Sequence, residues 1–118
     1  MDAAAFRDEK RFKARVVHII LGQKTEEALE LLSQYHHVPT PKLKVGMPKG
    51  DVKHQACYVA RNETIHLANR DNLYNPYIIL HEFYHHLRTK GATHRGTEKN
   101  ADRFAKDYMT TYFRFLGA

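Results

Sequence analysis

The chain has 118 residues, of which 42% are hydrophobic and 27% charged, with a formal net charge of +6 and a single cysteine. This length suits one domain, residues 1–118, and excludes two domains of ordinary size. No apolar run approaches the about 20 residues that a membrane-spanning helix needs, so we expect no membrane insertion. A lone cysteine cannot form an internal disulfide, and the short apolar stretch VVHIIL does not resemble a signal peptide. We therefore expect a soluble cytoplasmic protein.

The first fifteen residues are unusually basic. They carry Arg7, Lys10, Arg11, Lys13 and Arg15. Such a patch can attract nucleic acid, an acidic protein or an anionic membrane surface. Acidic residues interrupt it and no nucleic-acid-binding motif accompanies it, so a solvated helix face is the simpler interpretation.

Apolar spacing predicts two helices in the first third of the chain. The first runs over about residues 3–21, where apolar side chains recur every three or four positions before Gly22. Thr25 is the expected N-cap of the second, which prolines after His37 bring to an end. His36 and His37 are adjacent, so they point in different directions, and we expect both at the surface.

Three β-like segments follow, at 42–45, 56–60 and 64–68, and residues 61–63 resemble a hairpin turn. They predict a small, mainly antiparallel three-stranded sheet. We interpret Cys57 as a packed strand residue, His54 as a loop residue and His66 as an outward strand position.

The last two helices have clear boundaries. Asn75 is a favoured N-cap followed by Pro76, and Gly91 is a suitable terminator. The helix between them is apolar nearly all round, which predicts that it is buried. Thr97 is the expected N-cap of a final helix that ends near Leu116. The chain as a whole is predicted to have an α+β fold.

The stretch HEFYHH lies in the middle of this third helix. Residues four apart share a helix face, so His81 and His85 can present two imidazoles to one metal ion. Glu82 can take a proton from water at that ion without being a ligand itself. The alternative is a pair of buried histidines satisfied by hydrogen bonds. Burying them without a metal or other partner would be costly.

Catalytic zinc normally has three protein ligands. Arg88 and Gly91 occupy the positions where a metzincin has its conserved glycine and third histidine, so that class is excluded. Glu98, at the start of the last helix, is the favoured third ligand, and His94 is the alternative. Asp102 lies one helical turn after Glu98 and can accept a hydrogen bond from a ligating histidine.

His81-Glu82-x-x-His85 followed by Glu98-x-x-Ala101-Asp102 resembles the gluzincin pattern of zinc metallopeptidases. The size and the order of elements are closest to the soluble minigluzincins, and they are also similar to ImmA/IrrE-type and HtpX-type catalytic domains. The resemblance implies a zincin-like fold and one Zn²⁺ per chain. It implies ligation by His81, His85 and Glu98, with Glu82 as general base and Asp102 behind a ligand.

The same resemblance implies a peptide or protein substrate that pairs with an edge strand. That strand is expected at Thr64, Ile65, His66, Leu67 and Ala68. It also implies that the C-terminal segment YFRFLGA can block the cleft of its own or a neighbouring chain. The alternative is that this segment simply completes the core, and the sequence does not choose between the two. A zinc metallopeptidase is thus the predicted function. A catalytically silent zinc-binding module and a nucleic-acid-associated protein are the alternatives.

Overall fold

The computed structural model describes residues 3–51, 53–91 and 96–117. Four helices and three strands confirm the predicted α+β layout. The elements in chain order are α1 (Ala3–Leu21), α2 (Thr25–His36), β1 (Lys42–Val45), β2 (Ala56–Val59), β3 (Thr64–Leu67), α3 (Pro76–Gly91) and α4 (Glu98–Gly117). Short 3₁₀ turns lie at Ala60–Asn62 and Asp71–Tyr74.

The sheet is mixed, with strand order β1-β3-β2. β2 and β3 form the predicted antiparallel pair, whereas β1 runs parallel to β3 and pairs Lys42 with Thr64. The prediction of a mainly antiparallel sheet is therefore wrong for one of its two pairings. The prediction that residues 64–68 form an edge strand is also wrong. Both sides of β3 are paired and all four of its residues are buried, so the edges belong to β1 and β2.

Side-chain caps confirm two of the three predicted helix starts. The backbone N–H of Ile78 donates to Asn75 Oδ1 at 3.3 Å, and that of Asn100 donates to Thr97 Oγ1 at 3.1 Å. Thr25 is instead the first residue of α2 and does not cap it. Its buried hydroxyl donates to the Leu73 carbonyl, so tertiary contact decides the role of this side chain.

α3 runs through the interior, as its apolar circumference predicts. Ile79, Leu80 and Phe83 have no exposed surface and join a core formed with α1, α2, the sheet and α4. α3 packs mainly against α4 and β2. The HEFYHH stretch is therefore held between a helix and a sheet edge.

The basic start of α1 is partly engaged in intramolecular ion pairs. Lys13 Nζ lies 3.2 Å from Glu9 and 2.5 Å from Asp107 of α4. Burial works against the charge of Lys13, but these two carboxylates raise its pKa overall. Lys13 therefore fastens α1 to α4, while Arg11 and Arg15 are exposed. Within the described ranges, no helix is both long enough and apolar enough to cross a bilayer.

Candidate metal centre

One face of α3 carries the first part of the candidate site. Tyr77, His81 and His85 are spaced four apart, so they form a column along that face. The first two turns of α4 lie opposite and bring Glu98 and Asp102 against the column. Two helices joined by a short connection therefore assemble the site, and the packing of α3 on α4 sets its dimensions.

His81, His85 and Glu98 form a cluster whose possible ligand atoms all lie within 4.8 Å of one another. Glu98 Oε2 is 3.0 Å from His81 Nε2, and Glu98 Oε1 is 2.7 Å from His85 Nε2. The histidine side chains are only 13% and 4% exposed, whereas that of Glu98 is 77% exposed. The cluster thus has a buried imidazole side and a carboxylate side that is open to solvent.

This donor set could hold a metal ion. Two donors bound at about 2.0–2.1 Å to a tetrahedral zinc ion lie about 3.3 Å apart. The two Glu98–histidine distances are shorter than this, so the cluster would open slightly around such an ion. Two imidazoles and one carboxylate are ligands that zinc accepts, and they leave a fourth position for water. His94, the alternative third ligand, lies outside the described residues.

Asp102 stands behind His81, on the side away from Glu98. Asp102 Oδ1 is 3.0 Å from His81 Nδ1, which is the contact that the sequence analysis expects. The same oxygen accepts a hydrogen bond from Tyr77 at 2.7 Å. The Tyr77 hydrogen bond and, to a lesser extent, the contact with His81 lower the pKa of Asp102, although some burial opposes this shift. The carboxylate is therefore kept ionised beside the imidazole.

The third histidine of the stretch, His86, has a structural role. It is fully buried, and its Nε2 lies 2.6 Å from the Pro39 carbonyl, which can only accept. Its Nδ1 must therefore accept the hydrogen bond from the Tyr58 hydroxyl, 2.7 Å away. Burial lowers the pKa of His86, which agrees with a neutral ring that ties α3 to β2.

A cleft of about 220 Å³ opens over the cluster and also contains Glu82. Glu82 is 8% exposed, and its Oε2 lies 3.9 Å from His81 Nε2. The remaining walls come from β2 and the loop before it, through Ala56, Cys57, Asp51 and His54. The predicted base thus shares a cavity with two of the predicted ligands.

One wall of this cleft is a loop that was not predicted to belong to the site. His54 Nδ1 lies 3.0 Å from Asp51 Oδ1, and the His54 backbone N–H donates to the same oxygen at 3.3 Å. These hydrogen bonds from His54 lower the pKa of the Asp51 carboxyl. The Asp-x-x-His spacing is a local signal for such a turn, but nothing local indicates that it faces the cleft.

Other predicted positions need correction. His66 is 7% exposed and its Nδ1 lies 2.9 Å from the Gly46 carbonyl, so it is not an outward strand residue. His36 is half-buried between Phe83 and Phe104, whereas His37 is exposed as expected.

The C-terminal segment does not reach the cleft of its own chain. It continues α4 as far as Gly117. At 1.5 Å per residue, Phe113 lies about 22 Å along the helix from Glu98. Arg114 and Phe115 line a groove with Lys10 of α1, at the end of the molecule away from the cluster. The segment is therefore directed away from the chain's own cleft in this conformation.

Comparison with protein-family models, with curated proteins and with solved structures finds no match to this chain.

Proposed function

We propose that the protein is a zinc-dependent metallopeptidase with a zincin-like fold. One observation carries this proposal. Three ligand atoms from His81, His85 and Glu98 lie within 4.8 Å of one another, and the cleft beside them contains the carboxylate of Glu82. Histidines with a purely structural role do not need a nearby carboxylate that is itself not a ligand, as Glu82 is here. Metal-assisted hydrolysis requires such an acid.

Each residue has a separate task in this proposal. Bound zinc would supply an activated water and polarise the scissile carbonyl. Glu82 accepts the proton of the attacking water on its carboxylate and passes it to the leaving amine. Asp102 orients the imidazole of His81.

β2 is the proposed substrate strand. Its inner side pairs with β3, its outer side is a sheet edge, and Ala56 and Cys57 line the cleft. An extended peptide can add to this edge through main-chain hydrogen bonds and pass over Glu82. The substrate contact expected at residues 64–68 therefore moves to the neighbouring strand. With Nδ1 held by Asp51, His54 retains Nε2 for contact with the substrate.

The first test is the zinc content of the purified protein by elemental analysis. We expect one zinc per chain, and we expect its retention to be lost in Glu98→Ala because one of three ligands is removed. Glu27→Ala is the matched control, since Glu27 is an exposed glutamate in the first turn of α2. His94→Ala should keep its zinc. A wild-type protein that binds no zinc under conditions that avoid stripping would refute the proposed site.

The second test is hydrolysis of a peptide library by the zinc-loaded protein. We expect cleavage that stops on chelation and returns when zinc is added. A protein that is fully loaded with zinc and cleaves no peptide would instead be a silent zinc-binding module, which is the alternative function.

A further inference from the structure

We propose that Tyr77 is a positioning residue of the metal centre, which acts through Asp102 to hold His81 in the orientation and tautomer that a metal ligand needs. This inference rests on the proposed function, because it gives Tyr77 a role at the same proposed zinc site. It adds a residue outside the His81-Glu82-x-x-His85 motif and outside α4.

The geometry places Tyr77 and His81 on the same carboxylate oxygen. The Tyr77 hydroxyl donates to Asp102 Oδ1 at 2.7 Å, and that oxygen is 3.0 Å from His81 Nδ1. Tyr77 precedes His81 by one helical turn, and the two ring centroids are 6.4 Å apart. α3 therefore carries both His81 and Tyr77, and Tyr77 restrains Asp102, the partner of His81 on α4.

The direction of these hydrogen bonds determines which nitrogen faces the metal. An ionised carboxylate can only accept, so the short contact with Asp102 requires Nδ1 of His81 to carry the proton. The lone pair of Nε2 is then directed at the cluster, where it lies 3.0 Å from Glu98. Fixing the tautomer in this way raises the affinity of an imidazole for a metal.

Asp102 needs this restraint because its side chain is 46% exposed. A carboxylate that is open to water can rotate away from the imidazole and accept hydrogen bonds from solvent. The Tyr77 hydroxyl occupies one of its acceptor positions. Hydrogen bonding to Asp102 also raises the pKa of Tyr77, so the phenol remains a donor across the neutral range.

The test is a double-mutant cycle on zinc affinity, measured by competition with a chelator. Asp102→Ala should weaken zinc binding about 10- to 100-fold, as loss of a direct partner of a ligand does, and Tyr77→Phe should weaken it about three- to tenfold. The doubly substituted protein should bind zinc no more weakly than Asp102→Ala alone, because Tyr77 acts only through Asp102. Tyr112→Phe, which removes a phenolic hydroxyl elsewhere in the fold, should leave the affinity unchanged.

The outcomes separate this inference from the proposed function. Wild-type affinity in Tyr77→Phe, or a Tyr77 effect that persists in the Asp102→Ala background, overturns the inference and leaves the metallopeptidase standing. The predicted pattern in a protein that cleaves no peptide supports the inference and refutes the peptidase. A wild type without zinc affinity refutes both. Phe keeps the ring that packs against the core, so a folding defect is not expected, and Asp102→Ala tests the same link from the exposed side.

Discussion

Glu82 and His81 are neighbours in sequence, and the proposed function gives them different chemical tasks, which a single substitution can separate. Glu82→Gln keeps the shape of the side chain and removes its ability to accept a proton. We expect kcat for peptide hydrolysis to fall at least about 100-fold, with zinc content and the free energy of unfolding near wild type. Kinetics on the zinc-loaded variant provide the measurement. Activity within a few-fold of wild type would exclude Glu82 as the base.

His54 was predicted only to be a loop residue, and it lines the cleft. If its Nε2 donates to the oxygen of the developing tetrahedral centre, His54→Ala should lower kcat about 100-fold and leave zinc affinity unchanged. His18→Ala, at an exposed position of α1, is the matched control. A change confined to zinc binding, or no change in either quantity, would contradict this assignment.

His36 makes the stability of the fold sensitive to acid. Burial and the nearby charges of Lys13 and His37 lower its pKa below the ordinary value of 6.5, and its Nε2 has no hydrogen-bond partner among the described residues. The unfolded chain therefore takes up this proton at a higher pH than the folded chain does. The stabilising contribution is complete above pH 6.5 and is lost as the pH falls through that value toward the folded pKa.

Replacement of His36 by Phe tests this sign, since an aromatic ring suits a site that contacts Phe83 and Phe104. The free energy of unfolding should fall less between about pH 7.5 and 5.5 in His36→Phe than in wild type. Urea titrations of the metal-free proteins at both values provide the comparison, because metal ligation then contributes to neither curve. Parallel pH dependences would refute the assignment.

Local signals in the sequence predict helix boundaries and helix burial well. They do not predict how distant segments pair in a sheet. The caps at Asn75 and Thr97 and the burial of α3 depend on neighbouring residues and on helical periodicity, so they could be predicted. The position of β3 depends on its parallel pairing with β1, about twenty residues away, to which no local pattern points. His66 was predicted to face outward, yet it is buried and its Nδ1 lies 2.9 Å from the Gly46 carbonyl.

The turn before α4 sets how closely Glu98 approaches α3. Gly96 has a φ of +79°, and a Cβ there would lie 2.6 Å from the Tyr84 ring. Gly96→Ala should therefore add a steric conflict to the about 1–3 kcal/mol cost of an unfavourable φ. Gly50→Ala is the matched control, because Gly50 has a φ of +92° with no atom within 4 Å.

We expect the free energy of unfolding to fall more in Gly96→Ala than in Gly50→Ala, and only the first variant to lose zinc affinity. Denaturant titration and chelator competition measure the two effects. Equal losses of unfolding free energy and of zinc affinity in both variants would mean that the contact with Tyr84 does not position α4.

The candidate site lies where three separate parts of the chain meet. α3 supplies His81, Glu82 and His85, α4 supplies Glu98, and β2 with its preceding loop supplies the opposite wall. The residues of the cluster could be proposed from the sequence because their spacing follows the helix period. The wall formed by Asp51 and His54 could not, since it depends on where the loop before β2 lies relative to α3 and α4.

The path of α4 makes a prediction about latency. The helix begins at the site with Glu98 and carries Phe113 and the residues after it about 22 Å away, where Phe113 and Leu116 are 59% and 65% exposed. A chain truncated after Tyr112 should therefore retain its zinc and its kcat/KM within about twofold at low protein concentration, because nothing in its own cleft is removed. Its thermal midpoint should change little, since the deleted aromatic side chains bury little surface. A several-fold rise in kcat/KM that does not depend on protein concentration would show that the segment folds back onto its own cleft. A rise seen only at high concentration would mean that it blocks the cleft of a neighbouring chain.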